Sequence, residues 1–562
     1  MSEIVPASLR ERVRARLRAF AADDVAGRLW AQDATLWKSD PGHRATIERS
    51  LGWLDVAEQV RDSLPELLGF AAEVSAEGYR EAVLLGMGGS SLAAEVLSSA
   101  FGAAAGYLKL TVLDTTDPRA VAAADSRLDP QTTLFVVASK SGGTTETASL
   151  HAYFFERLRA AGDSVHAGRH FIAITDEGTV LQRQAVEQDF RAVFVNPSDI
   201  GGRYSALSFF GMVPAALGGM DLAELLGRAV VAAEDCGPAM SAAENPGLVL
   251  GAALGESALA GRDKLTVLAS PGIASFGAWV EQLVAESTGK EGSGILPVDA
   301  EPLGSPDAYG DDRVFVYLRL NDAPDAAQDA QVAALEAAGI PVLHLEMADA
   351  FDLGRQFFIW EVAVAVAGAV LGVNPFDQPN VQESKENTRR VLADLAASEE
   401  VATPRAADGG QSVFAVDDAA LVPALAAVVA AVSPPSYVAF QAWVTPSPAA
   451  WAELTTLRQM VRDRRHVATT LGYGPRFLHS TGQYHKGGSV GGVFLQLVAR
   501  SEDDLPVPGV DYGFRRLIHA QALGDMQALA ARGRRVLRVE LGADPVAGLR
   551  RLIPLVQTAL GG

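Results

Sequence analysis

Short apolar runs of strand length alternate with longer stretches of helical period along most of this chain. That alternation confines it to α/β architectures on parallel sheets, because parallel neighbours are joined by helical crossovers. Between residues 80 and 215 the strand candidates are 82–85, 109–113, 133–138, 170–175 and 192–195. The stretch from Thr144 to Ala161 carries an amphipathic stripe, and Leu222, Leu225, Leu226, Ala229 and Val230 keep a helical period over 221–233. The pattern restarts at Lys264–Leu268, with strands near 313–318 and 341–345 and helices near 275–288 and 353–371. Beyond an alanine- and glycine-containing stretch around 395–411, a third region offers strands 436–444, 493–499 and 535–541 and helices 416–431, 448–462 and 544–560. The expected organisation is a helical N-terminal segment (1–70), a first α/β module (71–250), a second (251–395) and a C-terminal α/β region (396–562).

With 562 residues, 49% of them apolar, there is interior for two to four domains. The formal charge of −21 argues against nucleic acid or an anionic membrane as partner. No apolar run approaches the length of a membrane span, so none is expected. Met1 to Arg18 is arginine-rich without a hydrophobic centre, so a secretory signal is not expected, and a single cysteine, Cys236, suits a reducing cytoplasm. The nine histidines form neither a His-x-His pair nor a His-Glu-x-x-His pattern, so no zinc site is expected.

Two glycine- and hydroxyl-rich loops each follow a strand candidate and lead into a helix candidate: Gly86-Met-Gly88-Gly89-Ser90-Ser91 and Ser139-Lys140-Ser141-Gly142-Gly143-Thr144-Thr145-Glu146-Thr147. Small residues admit a ligand to the backbone, and amides at a helix start point at an anion. With a lysine and several hydroxyls added, a phosphate on a small molecule is the most economical ligand. Gly86-x-Gly88 also imitates a dinucleotide fingerprint, but the third position is Ser91.

Gly201-Gly202-Arg203-Tyr204-Ser205 can bring a guanidinium close to a ligand, where its fixed charge stabilises a developing oxyanion; an isolated arginine after a loop is also compatible with a plain surface position. Gln282, Glu286 and Lys290 are four apart and share one helical face. A carboxylate there can serve as a general base, and an ion-paired solvated face satisfies the same spacing. Asn374-Pro-Phe376-Asp377-Gln378-Pro379 turns into a helix that carries Lys385. His479 to Gly488 gathers His479, His485 and Lys486 among glycines. Gly487-Gly-Ser-Val-Gly491 matches the hydrolase nucleophile pattern, but it leads into a strand where a nucleophile elbow leads into a helix.

Taken together and in order, the segments 86–91, 139–147, 201–205, 282–290 and 376–385 resemble the glucose-6-phosphate isomerase family, and the chain from 472 to 488 looks like the end of the isomerase half of fused transaldolase–phosphoglucose isomerases. The resemblance implies two sugar-isomerase (SIS) modules, each with a flavodoxin-like parallel sheet. It implies aldose–ketose isomerisation of glucose 6-phosphate and fructose 6-phosphate through an enediolate, with no cofactor or metal, in a homodimer. By motif, Ser90, Ser139, Ser141, Thr144 and Thr147 hold the phosphate, with Gly88, Gly89 and Lys140 in the same loops. Arg203 faces the enediolate, Glu286 is the base, Gln282 and Gln378 bind the sugar, and Lys385 assists ring opening.

The family places a ring-opening histidine between the glutamate and Phe-Asp-Gln motifs. There this chain has only His344, in a strand-like context that looks buried, so the role is assigned to His485, with His479 second. Gly143 stands where many relatives carry threonine. A mannose-6-phosphate or dual-specificity isomerase remains open, as does a non-catalytic sugar-phosphate sensor, although no helix-turn-helix is evident in the first seventy residues. Aminosugar synthesis from glutamine requires an N-terminal cysteine where this chain has Met1-Ser2.

Overall fold

Three parallel sheets organise the chain. The first holds β1 (Glu81–Leu85), β2 (Lys109–Leu113), β3 (Thr133–Ala138), β4 (Phe171–Asp176) and β5 (Ala192–Asn196) in the order β2-β1-β3-β4-β5. The second holds β6 (Lys264–Ala269), β7 (Leu296–Val298), β8 (Arg313–Leu320) and β9 (Val342–Met347) in the order β7-β6-β8-β9. Both reverse direction after their first strand, which is the flavodoxin-like winding. The third holds β10 (Ser412–Ala415), β11 (Tyr437–Trp443), β12 (Ala468–Tyr473), β13 (Gly492–Ala499) and β14 (Arg535–Gly542) in the order β10-β14-β13-β11-β12. Every strand pair is parallel.

This computed structural model describes residues 7–162, 166–397, 412–415, 418–430, 432–501 and 503–561, with side chains omitted at 381–385, 394–397, 412–415, 418–420 and 430. Most of the stretch expected as a break near 395–411 lies outside the described residues. The strands that sequence reading overlooks, β7, β10 and β12, are all sheet edges. An edge strand pairs on one side only and needs a shorter apolar run; β7 even contains Pro297, which an edge tolerates. Sequence reading also overlooks the helix Phe514–Ala531.

The helix Asp352–Leu371 is long and apolar enough to cross a membrane, yet 83% of its apolar window is buried inside the protein. The helix Pro246–Leu259 packs on it through Gly247, Gly251 and Gly255. A Cβ at these positions would lie 2.4 Å from Val362, 2.8 Å from Val366 and 2.6 Å from Val370, so only glycine permits this approach. The N-terminal helix Ala7–Ala22 joins the same core, with Arg12 and Arg16 paired to Glu256. His344 departs from expectation: on the edge strand β9 it is exposed, and its Nε2 lies 2.8 Å from Glu336.

In a doubly wound sheet the crevice opens where the strand order reverses, at the carboxyl ends of the two diverging strands. In the first sheet those strands are β1 and β3, and the two donor-rich loops are their continuations. They are distant in sequence and adjacent in space for that reason alone.

Candidate active site

The first loop makes three close approaches. Gly88 has φ +55°, and a Cβ there would lie 2.7 Å from Gln282 Nε2 and 2.8 Å from the His479 carbonyl oxygen. At Gly89 a Cβ would stand 2.0 Å from the Gly202 carbonyl oxygen. The glycines thus bring the turn after β1 against the Arg203 loop, the helix Phe276–Thr288 and the third region together. Gly89→Ala is therefore expected to displace the Arg203 loop and destabilise the protein by ~1–3 kcal/mol, read as a lowered Tm with raised KM; an unchanged melt would contradict this packing.

In the second loop Ser139 Oγ and Thr144 Oγ1 lie 3.0 Å apart, and Ser141 Oγ accepts from the Gly143 amide at 3.4 Å. Thr144 precedes the helix Thr145–Ala160 without capping it by its side chain, which leaves the first-turn amides available to an anion. Thr147 Oγ1 is buried with no hydrogen-bond partner among the described residues. Lys140 is turned toward Asp176, with which it pairs, and donates to the Ser198 carbonyl at 2.8 Å. Ser90, beside Gly89, is 9% exposed.

The expected helical face is cut short, because the helix ends at Thr288 and Lys290 lies beyond it in a bridge with Ser293; nor are the three side chains solvated, Gln282, Glu286 and Lys290 being 4%, 5% and 3% exposed. Arg203, also buried, reaches the centre of this group. Its Nη1 lies 3.2 Å from Glu286 Oε2 and donates to Gln378 Oε1, its Nη2 donates to the carbonyls of Pro375 (2.6 Å) and Asp377 (2.9 Å), and its Nε donates to Ser287 Oγ at 2.8 Å. Burial pushes the Glu286 carboxyl above its usual range, and the Arg203 charge pulls part of the way back. Burial, assisted by Arg203, pulls Lys290 down to about 7 despite its 2.7 Å ion pair with Asp377. A carboxylate of raised basicity beside a fixed guanidinium is suited to moving a proton while negative charge develops next to it.

The N-terminal segment supports this arrangement from behind. Trp53 stacks on Tyr204 at 5.3 Å, and Trp37 meets Phe376 edge-on at 5.0 Å. Tyr204 Oη lies 3.2 Å from Ser287 Oγ, the acceptor for Arg203. Lys385 lies on the helix Pro379–Ala397, in the stretch whose side chains are outside the description.

The third region supplies the histidine at this site. The turn after β12 brings His479 to the helix of the second loop, where its Nε2 is 3.0 Å from Glu146 Oε1. Gln521 Nε2 donates to the same oxygen at 2.7 Å, and Thr116 Oγ1 donates to Gln521 Oε1 at 2.7 Å. Gln282 Nε2 donates to the His479 carbonyl at 2.7 Å. His485, ranked ahead of it from the sequence, is placed differently. Its ring sits among Tyr437, Phe477 and Phe494, neither nitrogen has a partner among the described residues, and burial holds its pKa well below the usual histidine range. The short helix Gly482–Gly487 turns that side chain into the apolar interior of the third region.

A phosphoglucose isomerase family model matches residues 63–295. The glucose-6-phosphate isomerase of Rubrobacter xylanophilus is 30% identical over 416 residues, covering 65% of this chain and 92% of the relative. The chain belongs to the phosphoglucose isomerase family. A probable glucose-6-phosphate isomerase of Haloarcula marismortui is also 30% identical, over 353 residues, covering 56% of this chain and 79% of that one. Among solved structures, a hypothetical protein from Thermus thermophilus superposes with TM-score 0.61 at 25% identity, covering 70% of this chain and 99% of its own. A glucose-6-phosphate isomerase from Chlamydia trachomatis shares the fold, with TM-score 0.51 at 21% identity over 67% of this chain and 79% of its own.

Family motifs alone leave several residues of the site unassigned. Glu146 and Lys290 lie inside quoted motifs, but their partners come from distant segments: the third region for Glu146, and the 374–377 turn for Lys290. Gln521 carries no local signal, since a lone glutamine on a helix has no signature.

Proposed function

We propose that this chain interconverts glucose 6-phosphate and fructose 6-phosphate by proton transfer through an enediolate. The observation that carries the reading is Glu286, buried against the Arg203 guanidinium beside two donor-rich loops at one sheet crevice. Ser90, Ser139, Ser141, Thr144 and Thr147, with the first-turn amides of the helix Thr145–Ala160, hold the phosphate. Glu286 as carboxylate takes the proton from C2 of the open-chain aldose and returns it to C1, and Arg203 faces the oxygens on which charge develops. Gln282 and Gln378 hold the sugar hydroxyls.

Ring opening precedes this step. As the ring C–O5 bond breaks, O5 gains a proton and the anomeric hydroxyl loses one. We assign the proton carrier to His479, because its Nε2 is held by Glu146 in the crevice, whereas the His485 ring packs among aromatic rings and neither of its nitrogens has a hydrogen-bond partner among the described residues. Lys385, on the helix following Gln378, is proposed to assist. The relation to the isomerase half of fused transaldolase enzymes, a homodimeric state and a cytoplasmic location belong to the same reading.

A coupled assay with fructose 6-phosphate, glucose 6-phosphate and mannose 6-phosphate tests the proposal. Turnover between the first two is expected; phosphate-dependent binding without turnover of any of them would overturn it in favour of a sensor. His479→Asn is expected to lower kcat on fructose 6-phosphate by ~10²-fold or more, and His485→Phe to leave it within a few fold. The reverse order would return the role to His485.

A further inference from the structure

His479 lies on the third region, so something must hold that region's turn against the crevice. The turn Arg476–His479 is a single 3-10 helical turn. In that geometry side chains three apart eclipse one another, so the direction of residue 476 sets the direction of residue 479. Arg476 reaches across to the first sheet, where its Nη1 is 2.9 Å from Asp114 Oδ2 at the end of β2, and its guanidinium pairs with Glu95 on the helix Leu92–Phe101 that follows the first loop. On the other side Ser480 Oγ donates to Glu281 Oε1 at 3.1 Å, one residue before Gln282.

We infer that Arg476 is a positioning residue for ring opening: its ion pairs with Asp114 and Glu95 hold the 476–479 turn so that the His479 imidazole meets Glu146 over the phosphate loops, within one and the same chain. This rests on the assignment of His479 as the ring-opening group. The acidic groups that interact with the Arg476 charge are Asp114, Glu95, Glu281 on the helix Phe276–Thr288, and Asp299 just after β7. Burial opposes the Arg476 charge, and Asp114 and Glu95, with a smaller contribution from Glu281, more than offset it, holding its pKa above the usual arginine range. A planar guanidinium can engage two carboxylates at once, whereas an ammonium on a shorter reach serves one well.

The test separates ring opening from proton transfer with 5-deoxyfructose 6-phosphate. Lacking the C5 hydroxyl and carrying its phosphate on O6, this ketose cannot close a ring, so it bypasses the step assigned to His479. Arg476→Ala is expected to lose ~10–100-fold in kcat/KM on fructose 6-phosphate, because a small misplacement of a reacting group is costly, and less than threefold on the open-chain ketose. Arg476→Lys should recover part of the loss on the cyclic substrate alone. Equal losses on both substrates would overturn the inference and make Arg476 a merely structural anchor. Should Arg476→Ala fail to fold by its thermal melt, the double variant Glu95→Gln, Asp114→Asn carries the same expectation from the other side. His479→Asn is measured alongside: if it shows no split between the substrates, the ring-opening assignment and this inference both fall; if it shows the split and the Arg476 variants do not, only the positioning role falls.

Discussion

Replacing Glu286 with glutamine is expected to lower kcat by ~10²–10⁴-fold or more, the span of a single general-base step, with the phosphate still bound. The substitution keeps the side chain's volume and its hydrogen bond with Arg203 and removes only the capacity to accept a proton. Inorganic phosphate should therefore inhibit the variant as it does the parent. The pH profile makes the same point. A base works deprotonated, and burial raises this carboxyl above its ordinary 4.5. The acidic limb of kcat/KM should accordingly lie above that value, with activity lost as pH falls through it. Near-normal turnover in Glu286→Gln would remove the carboxylate from the chemistry.

Arg203→Lys is expected to have the second largest effect, a fall in kcat of ~10²–10³-fold, the usual cost of losing an aligned oxyanion donor, exceeding any rise in KM. The present guanidinium uses one plane to reach Ser287, Glu286, Gln378 and the carbonyls of Pro375 and Asp377. An ammonium has three donors and no plane, so several of these buried acceptors lose their partner, at ~1–3 kcal/mol for each. Because Arg203 is also the largest influence holding the Glu286 pKa down against burial, a weaker or displaced charge should move the acidic limb of the profile upward. Initial rates across pH, together with a thermal melt, separate the two contributions. A variant whose KM rises while kcat holds would place Arg203 in substrate binding rather than beside the developing charge.

The family motifs brought the reading near to this site through local chemistry. A loop of glycines and hydroxyls between a strand and a helix carries its anion-binding capacity in its own residues, so both loops after β1 and β3 are legible without a structure. The four-residue spacing of Gln282, Glu286 and Lys290 reads as one helical face, yet it misses the end of the helix at Thr288 and is silent on what these side chains meet. A solvated ion-paired stripe and a buried stripe share the same period. Only the packing of this segment against Arg203 and the 374–378 turn distinguishes them, through the 3–5% exposure of the three side chains. The two histidines of the 479–488 segment differ in the same way. Neither one's neighbours in sequence say what its ring will meet, and the fold directs one into an aromatic interior and the other toward Glu146.

From the sequence alone came the α/β alternation, the strands paired on both sides together with the edge strands β2, β5 and β9, the two glycine- and hydroxyl-rich loops and the order of the family motifs, all of which depend on the periodicity or composition of contiguous residues. Tertiary structure decided the edge strands β7, β10 and β12, the end of the helix before Lys290 and the burial of Gln282, Glu286 and Lys290, the choice of His479 over His485 as the histidine beside the loops, and the reach of the third region to the crevice. Each of these depends on which distant segment covers a surface, and side-chain burial is a property of the pair in contact, not of either strand of sequence by itself.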